Sequence, residues 1–86
     1  MALLSKVVSC TTSPTLVFNA GASGSLMNLH NSSGAVIYVG GSDVSSTNGY
    51  HLNSTESLTL TLLPGNSLYA RAGSGTKDLA FFVQDL

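Results

Sequence analysis

The sequence has one cysteine and two histidines, Cys10, His30 and His51, which could supply sulfur and nitrogen ligands to a metal or a thiol nucleophile with its base. Thiolate and imidazole groups are zinc ligands, and a cysteine beside a histidine is the arrangement of a thiol nucleophile. Zinc sites usually place two ligands a few residues apart, whereas these three are scattered along the chain. We therefore predict no metal, no cofactor and no enzymatic activity.

Glycine and polar residues in the middle of the chain offer a second kind of binding chemistry. The run Gly40-Gly41-Ser42-Asp43 could turn backbone N–H groups toward an anion, but phosphate loops continue into a helix and carry a lysine. Asp43 and Asn48 could donate oxygens to calcium, which needs about six to eight of them. We interpret these residues as turn residues whose side chains bond to nearby backbone.

The overall composition excludes two classes of partner. Charged residues make up 8% of the 86 residues, and three Lys and Arg against four Asp and Glu give a formal net charge of −1. Nucleic-acid binding requires clustered basic residues, and spanning a membrane with a helix requires an apolar run of about 18 residues. The sequence has neither feature, so we expect neither nucleic acid nor a membrane as a partner. A weakly charged surface, kept wet by Ser, Thr, Asn and Gly, suits contact with other proteins.

Turn residues divide the chain into short apolar runs, a pattern typical of a β-meander. Residues 58–62, Leu-Thr-Leu-Thr-Leu, alternate most strictly and so place leucines on one face and threonines on the other. Pro64-Gly65 supplies the backbone angles of a type II turn, which predicts a hairpin of residues 58–63 and 67–72. The fold class predicted is all-β, a single-domain β-sandwich or small barrel of about seven short antiparallel strands.

The two ends of the chain leave alternatives open. Residues 1–14 are predicted to be an N-terminal strand or extended arm ahead of a β-sandwich domain at residues 15–86, because Pro14 interrupts any ladder. The last segment fits helical as well as strand spacing, and its Phe-Phe-Val run favours a strand. Residues 35–39 are expected to form a central strand covered on both faces. The predicted core contains Ile37, Leu58, Leu60, Leu62, Leu68 and Phe81.

Tyr69, Arg71 and Phe82 fall on the face of their predicted strands that points away from the core. Aromatic residues and Arg are the types most enriched in protein interfaces, so these three are the predicted protein-interface residues. The other possibility is that Tyr69 and Phe82 close a second core layer of the sandwich.

Four short motifs occur in order between residues 36 and 76. They are Val-Ile-Tyr-Val-Gly-Gly-Ser-Asp-Val at residues 36–44, Asn-Gly-Tyr at 48–50, Leu-Tyr-Ala at 68–70 and Ser-Gly-Thr at 74–76. This set resembles a small β domain that recurs in virion proteins of tailed bacteriophages. The resemblance spans about Leu26 to Gln84, and residues 79–83, Leu-Ala-Phe-Phe-Val, replace the Arg-containing final strand of that pattern.

The resemblance implies a structural virion protein, found alone as a capsid decoration (cement) protein or attached to larger fibre and tail proteins. Since the domain stands alone in this sequence, we expect a decoration protein, made in the bacterial host cytoplasm and bound to the outer capsid surface. The partners implied are the major capsid protein and further copies of the chain, as a homotrimer or else a dimer. The alternative is a tail, baseplate or fibre adhesin that binds a host-surface glycan through Asn48, Tyr50 and His51.

Overall fold

The computed structural model describes residues 3–85 as two antiparallel β-sheets packed face to face, with no helix among these residues. Sheet A has the strand order β1-β8-β3-β6, and sheet B has the order β2-β7-β4-β5. The strands are β1 (Leu4–Cys10), β2 (Thr15–Asn19), β3 (Ser25–His30), β4 (Ile37–Gly40), β5 (Tyr50–Leu52), β6 (Ser57–Leu62), β7 (Ser67–Ala72) and β8 (Lys77–Asp85). The predicted all-β sandwich is confirmed.

The strand assignments differ from the sequence predictions in one respect and agree in another. One strand more than expected is present, because β5 has three residues and is too short to show alternation. The last segment is a strand throughout its described length, as predicted. Within residues 3–85, no helix is long and apolar enough to cross a membrane.

The chain crosses between the sheets at most of its turns, so the prediction of a β-meander is wrong. Among the described strands, β4 and β5 are the consecutive pair that is hydrogen-bonded, while β1 pairs with β8 from Leu4 opposite Val83 to Cys10 opposite Lys77. Residues 4–10 of the predicted strand or arm are thus an edge strand of sheet A. The division of the chain at residue 14 remains a prediction.

The turn at Pro64-Gly65 forms as predicted, but the hairpin does not. Gly65 has a φ of 81°, and the N–H of Asn66 donates to the carbonyl oxygen of Leu63 at 3.0 Å. β6 nevertheless pairs with β3 in sheet A, while β7 pairs with β2 and β4 in sheet B. A turn fixes where the chain reverses, and two strands with one apolar face each can stack across a core instead of pairing side by side.

The core lies between the sheets and receives inward-facing side chains from all eight strands, every second one along the inner strands β3, β4, β7 and β8. The rings of Phe18 and Phe81 meet edge to face across it, with centroids 6.3 Å apart. The predicted burial is confirmed for Ile37, Leu62, Leu68 and Phe81.

Leu58 and Leu60 are half-buried, which corrects the prediction that they belong to the full core. They face inward like Leu62, but β6 is an edge strand of sheet A. A side chain at the edge of a sandwich has core neighbours on one side only.

The prediction that residues 35–39 are covered on both faces is also wrong. The strand begins at Ile37, whose side chain is buried with that of Val39, whereas Tyr38 is half-buried on the outer face. In a two-layer sandwich even a central strand meets the core on one face only. The outer face of β4 therefore belongs to the surface.

Candidate interaction surfaces

The three residues with metal or nucleophile chemistry lie in different layers of the sandwich. Cys10 is fully buried at the end of β1, His30 is exposed on the outer face of sheet A, and His51 is exposed on sheet B. No group of three or more His, Cys, Asp or Glu residues within the described range could hold a metal ion. The fold therefore does not assemble the zinc or thiol site considered from the sequence.

Cys10 has the environment of a core residue. Burial, together with the smaller effect of the negative charge of Asp78, raises the pKa of its thiol to about 11. A thiol with so high a pKa stays protonated at neutral pH, and the thiolate is the form that reacts. Cys10 is therefore a free, unreactive thiol in the folded protein.

The loop between β4 and β5 is held together by its own side chains. Asn48 Oδ1 accepts a hydrogen bond from the Ser45 N–H at 2.7 Å, and Asn48 Nδ2 donates to the Asp43 carbonyl oxygen at 3.3 Å. The interpretation of Asn48 as a turn residue is confirmed. Gly49 is needed for space, since a Cβ there would lie 2.6 Å from the Cβ of Tyr38 and 2.7 Å from the Ser45 carbonyl oxygen.

The predicted interface residues face away from the core as expected, but on opposite sides of the molecule. Tyr69 and Arg71 are half-buried on the outer face of sheet B, and Phe82 is 44% exposed on the outer face of sheet A. The sandwich lies between them, so the three cannot join in one contact. No third layer of residues 3–85 covers Tyr69 or Phe82, which makes the second-core-layer alternative wrong for the described chain.

The sheet B face, as we name it, is a row of aromatic side chains with one cation. Arg71 lies opposite Tyr38 in the ladder, with its guanidinium carbon 6.0 Å from the centre of the tyrosine ring. His51 meets the other side of Tyr38, with ring centroids 4.8 Å apart. Tyr69 continues the row toward β2, where it pairs with Leu16, which is 42% exposed.

The sheet A face is an open groove of about 510 Å³ lined by Ser5, Val7, Asn28, His30, Ala80 and Phe82, among others. Val7 is 64% exposed, and Leu26, which lies beside the groove on β3, is 38% exposed. The polar groups nearby bond across strands: Asn28 Nδ2 donates to Thr59 Oγ1 at 2.8 Å, and His30 Nδ1 lies 2.9 Å from Ser57 Oγ. These polar groups already have hydrogen-bond partners within the sheet, so the apolar side chains are the part of this surface that can contact another molecule.

Sequence reasoning missed Val7, Leu16, Leu26 and Tyr38 as surface residues of these two faces. Each lies in an apolar run, and apolar runs indicate strands without indicating which strands become neighbours. The surface position of Tyr38 was predictable, because strand alternation places its side chain on the opposite face from the β-branched side chains of Ile37 and Val39.

No protein-family model and no curated protein matches the sequence. Among solved structures, the chain is similar in fold to a protein from Bacillus endospore appendages, which are described as a novel family of disulfide-linked pili. The TM-score is 0.57 and the sequence identity 5%, over 95% of this chain and 82% of that chain. At this identity the similarity concerns the β-sandwich fold alone.

Proposed function

We propose that this protein is a structural virion component of a tailed bacteriophage, a capsid decoration (cement) protein that binds the outer capsid lattice. The observation that carries the proposal is where the phage-like motifs meet. Val39 of the first motif lies between Tyr50 of the second and Ala70 of the third in sheet B. Motifs far apart in the sequence thus form one continuous part of the fold, as expected if the resemblance concerns a folded domain.

The chemistry of the sheet A face supports a role in protein assembly. Val7 and Phe82 are exposed beside uncharged polar groups that are bonded to one another. Covering such a face removes apolar surface from water, and few charges have to be desolvated. We assign this face to the major capsid protein.

Cementing follows from mass action. A protein that binds the assembled lattice and not its separate subunits stabilises the lattice by its binding free energy. Because a capsid offers many equivalent sites, modest affinity at each site sums to a large stabilisation of the whole. Further copies of the chain remain proposed partners, as a homotrimer by the resemblance and a dimer as the other possibility.

The proposed contacts are non-covalent. The similar endospore pili are described as disulfide-linked, whereas Cys10 is buried here and stays protonated. A buried thiol is not available to bridge one folded copy to the next.

The experiment that tests the proposal combines localisation with a matched pair of variants. Labelled protein should be found on the capsid and not on the tail when purified virions are imaged. Phe82→Ser should reduce the amount retained on capsids at least tenfold, while Leu16→Ser, which removes a similarly exposed apolar side chain from the opposite face, should leave it unchanged. Labelling confined to tail tips would refute the capsid assignment.

A glycan-binding adhesin of the tail, baseplate or fibre is the second candidate, and the sheet B face favours it. The predicted Asn48, Tyr50 and His51 cluster does not form, because Asn48 bonds to its own loop and Tyr50 and His51 point to opposite sides of β5. Tyr38, Tyr69 and His51 instead provide aromatic surface beside Arg71. Binding to a glycan array that is lost in Tyr69→Ala and kept in Phe82→Ser would select this function.

A further inference from the structure

The outer edge of β6 is an unprotected strand edge. Soluble proteins guard such edges with proline, bulges, short length or inward-pointing charges. β6 has six residues, Ser-Leu-Thr-Leu-Thr-Leu, with no charge, proline or glycine, and it pairs with β3 without a register shift. Alternate N–H and C=O groups along it point away from β3 and are available to another strand.

The other three sheet edges are guarded. Lys6 on β1 lies opposite the buried Phe81, and so it places a charge on the inner side of that edge. β2 follows Pro14 and has a register shift between Leu16 and Phe18. β5 is three residues long.

The side chains of β6 give a second, independent observation. Leu58 and Leu60 point inward yet are half-buried, while Leu62 on the same face is 6% exposed. An additional strand next to β6 would cover the remaining apolar surface of both leucines. The free edge and the incomplete burial thus occur at the same place.

We propose that β6 pairs antiparallel with β6 of a second copy, which joins the two A sheets into one sheet of eight strands. The two copies are related by a two-fold axis perpendicular to the sheet. Leucine then lies opposite leucine and threonine opposite threonine when residue 59, 60 or 61 lies opposite the same residue of the other copy, which we call an axis at that residue. Such an interface is isologous and closes as a dimer. The nearest carboxylate does not oppose it, because Glu56 Oε1 accepts a hydrogen bond from the Asn53 N–H of its own loop at 2.8 Å.

Charge selects β6, and not β1, as the partner strand. If β1 of the second copy lay beside β6, Lys6 would point into the side where Leu58 and Leu60 lie. Burying that ammonium group without a partner is unfavourable, whereas β6 brings only leucine and threonine. The occupant that fits the edge is therefore the same strand of another copy.

This inference specifies the self-association included in the proposed function, and it rests on that function only in expecting copies to associate. It favours the dimer over the trimer. Its test uses purified protein without capsids, so a failure here leaves capsid binding to be judged separately.

Cysteine cross-linking tests the pairing and its register. Thr59 and Thr61 are exposed, and opposing residues of an antiparallel pair have Cα atoms about 4.5 to 5.5 Å apart, within disulfide range. Under mild oxidation, an axis at residue 59 predicts a covalent dimer of Thr59→Cys alone, and an axis at residue 61 predicts one of Thr61→Cys alone. An axis at residue 60 places residue 59 opposite residue 61 and predicts a covalent dimer only when the two variants are mixed. Thr47→Cys, in the β4–β5 loop, is the exposed control and should stay monomeric; absence of a dimer in all three arms would overturn the proposal.

Sedimentation velocity supplies the non-covalent test. The unmodified protein should sediment with the mass of two chains, and Leu60→Lys, which copies the guard that Lys6 gives β1, should sediment with the mass of one. Gln84→Lys adds the same charge to the outer face of sheet A on β8, away from the β6 edge, and should remain a dimer. A trimeric mass would overturn the proposal, and so would a Leu60→Lys variant that folds and is still a dimer. If Leu60→Lys does not fold, the cross-linking experiment decides the question.

Discussion

Adjacent residues of β6 lie in opposite environments, and the same substitution at each should have opposite results. Leu62 is 6% exposed, while Thr61 is exposed on the outer face. Leu62→Asp should prevent folding, because burying an unpaired carboxylate costs several kcal/mol against a total stability of about 5 to 15 kcal/mol. Thr61→Asp should fold. Circular dichroism melting curves check this, and equal melting temperatures would contradict the assigned register.

The thiol of Cys10 should make stability depend on alkaline pH. Its pKa is about 11 in the folded protein and 9.0 for the ordinary thiol, so the unfolded chain loses the proton first. The stabilisation is complete below pH 9 and declines as the pH rises to 11. The decline in free energy of unfolding, measured by urea titration, should be smaller in Cys10→Ala; identical pH profiles would show that the thiol does not contribute.

At the scale of elements, the β4–β5 loop depends on a glycine for space. Gly49→Ala should destabilise the protein by about 1 to 3 kcal/mol, because its Cβ would overlap the Cβ of Tyr38 and the Ser45 carbonyl oxygen. Gly21→Ala is the matched control, since a Cβ there meets nothing within 4 Å. Chemical denaturation of both variants measures the difference, and equal midpoints would mean that the loop moves to accept a methyl group.

The elements were predictable from the sequence to the extent that local patterns determine them. Alternation located residues 58–62, and Pro64-Gly65 marked a true turn. Local patterns do not indicate which strands pair with one another. β6 pairs with β3, about 30 residues earlier in the chain, and not with the following strand β7. The predicted interface residues were placed on the correct side of their strands, but their separation onto two faces of the sandwich depends on that same pairing.

For the whole molecule, low charge predicts an assembly that tolerates salt. With a formal net charge of −1 and an exposed sheet A face of Val7, Phe82 and bonded polar groups, the proposed capsid binding should have little electrostatic contribution that salt could screen. The dissociation constant for capsids should change less than threefold between 50 and 500 mM NaCl. Binding isotherms on immobilised capsids check this, and a tenfold weakening would indicate that charged contacts dominate.

The pairing of the first described strand with the last determines how the domain responds to force. Leu4 lies opposite Val83, so both ends of the described chain leave the sandwich at the same point of one ladder. A pull applied through these ends would load the β1–β8 hydrogen bonds one pair at a time and peel β1 away, rather than shearing the bonds together. The domain should therefore unfold at low force when it is pulled between its two ends. It should resist a larger force when that force is applied through contacts on the faces of its sheets.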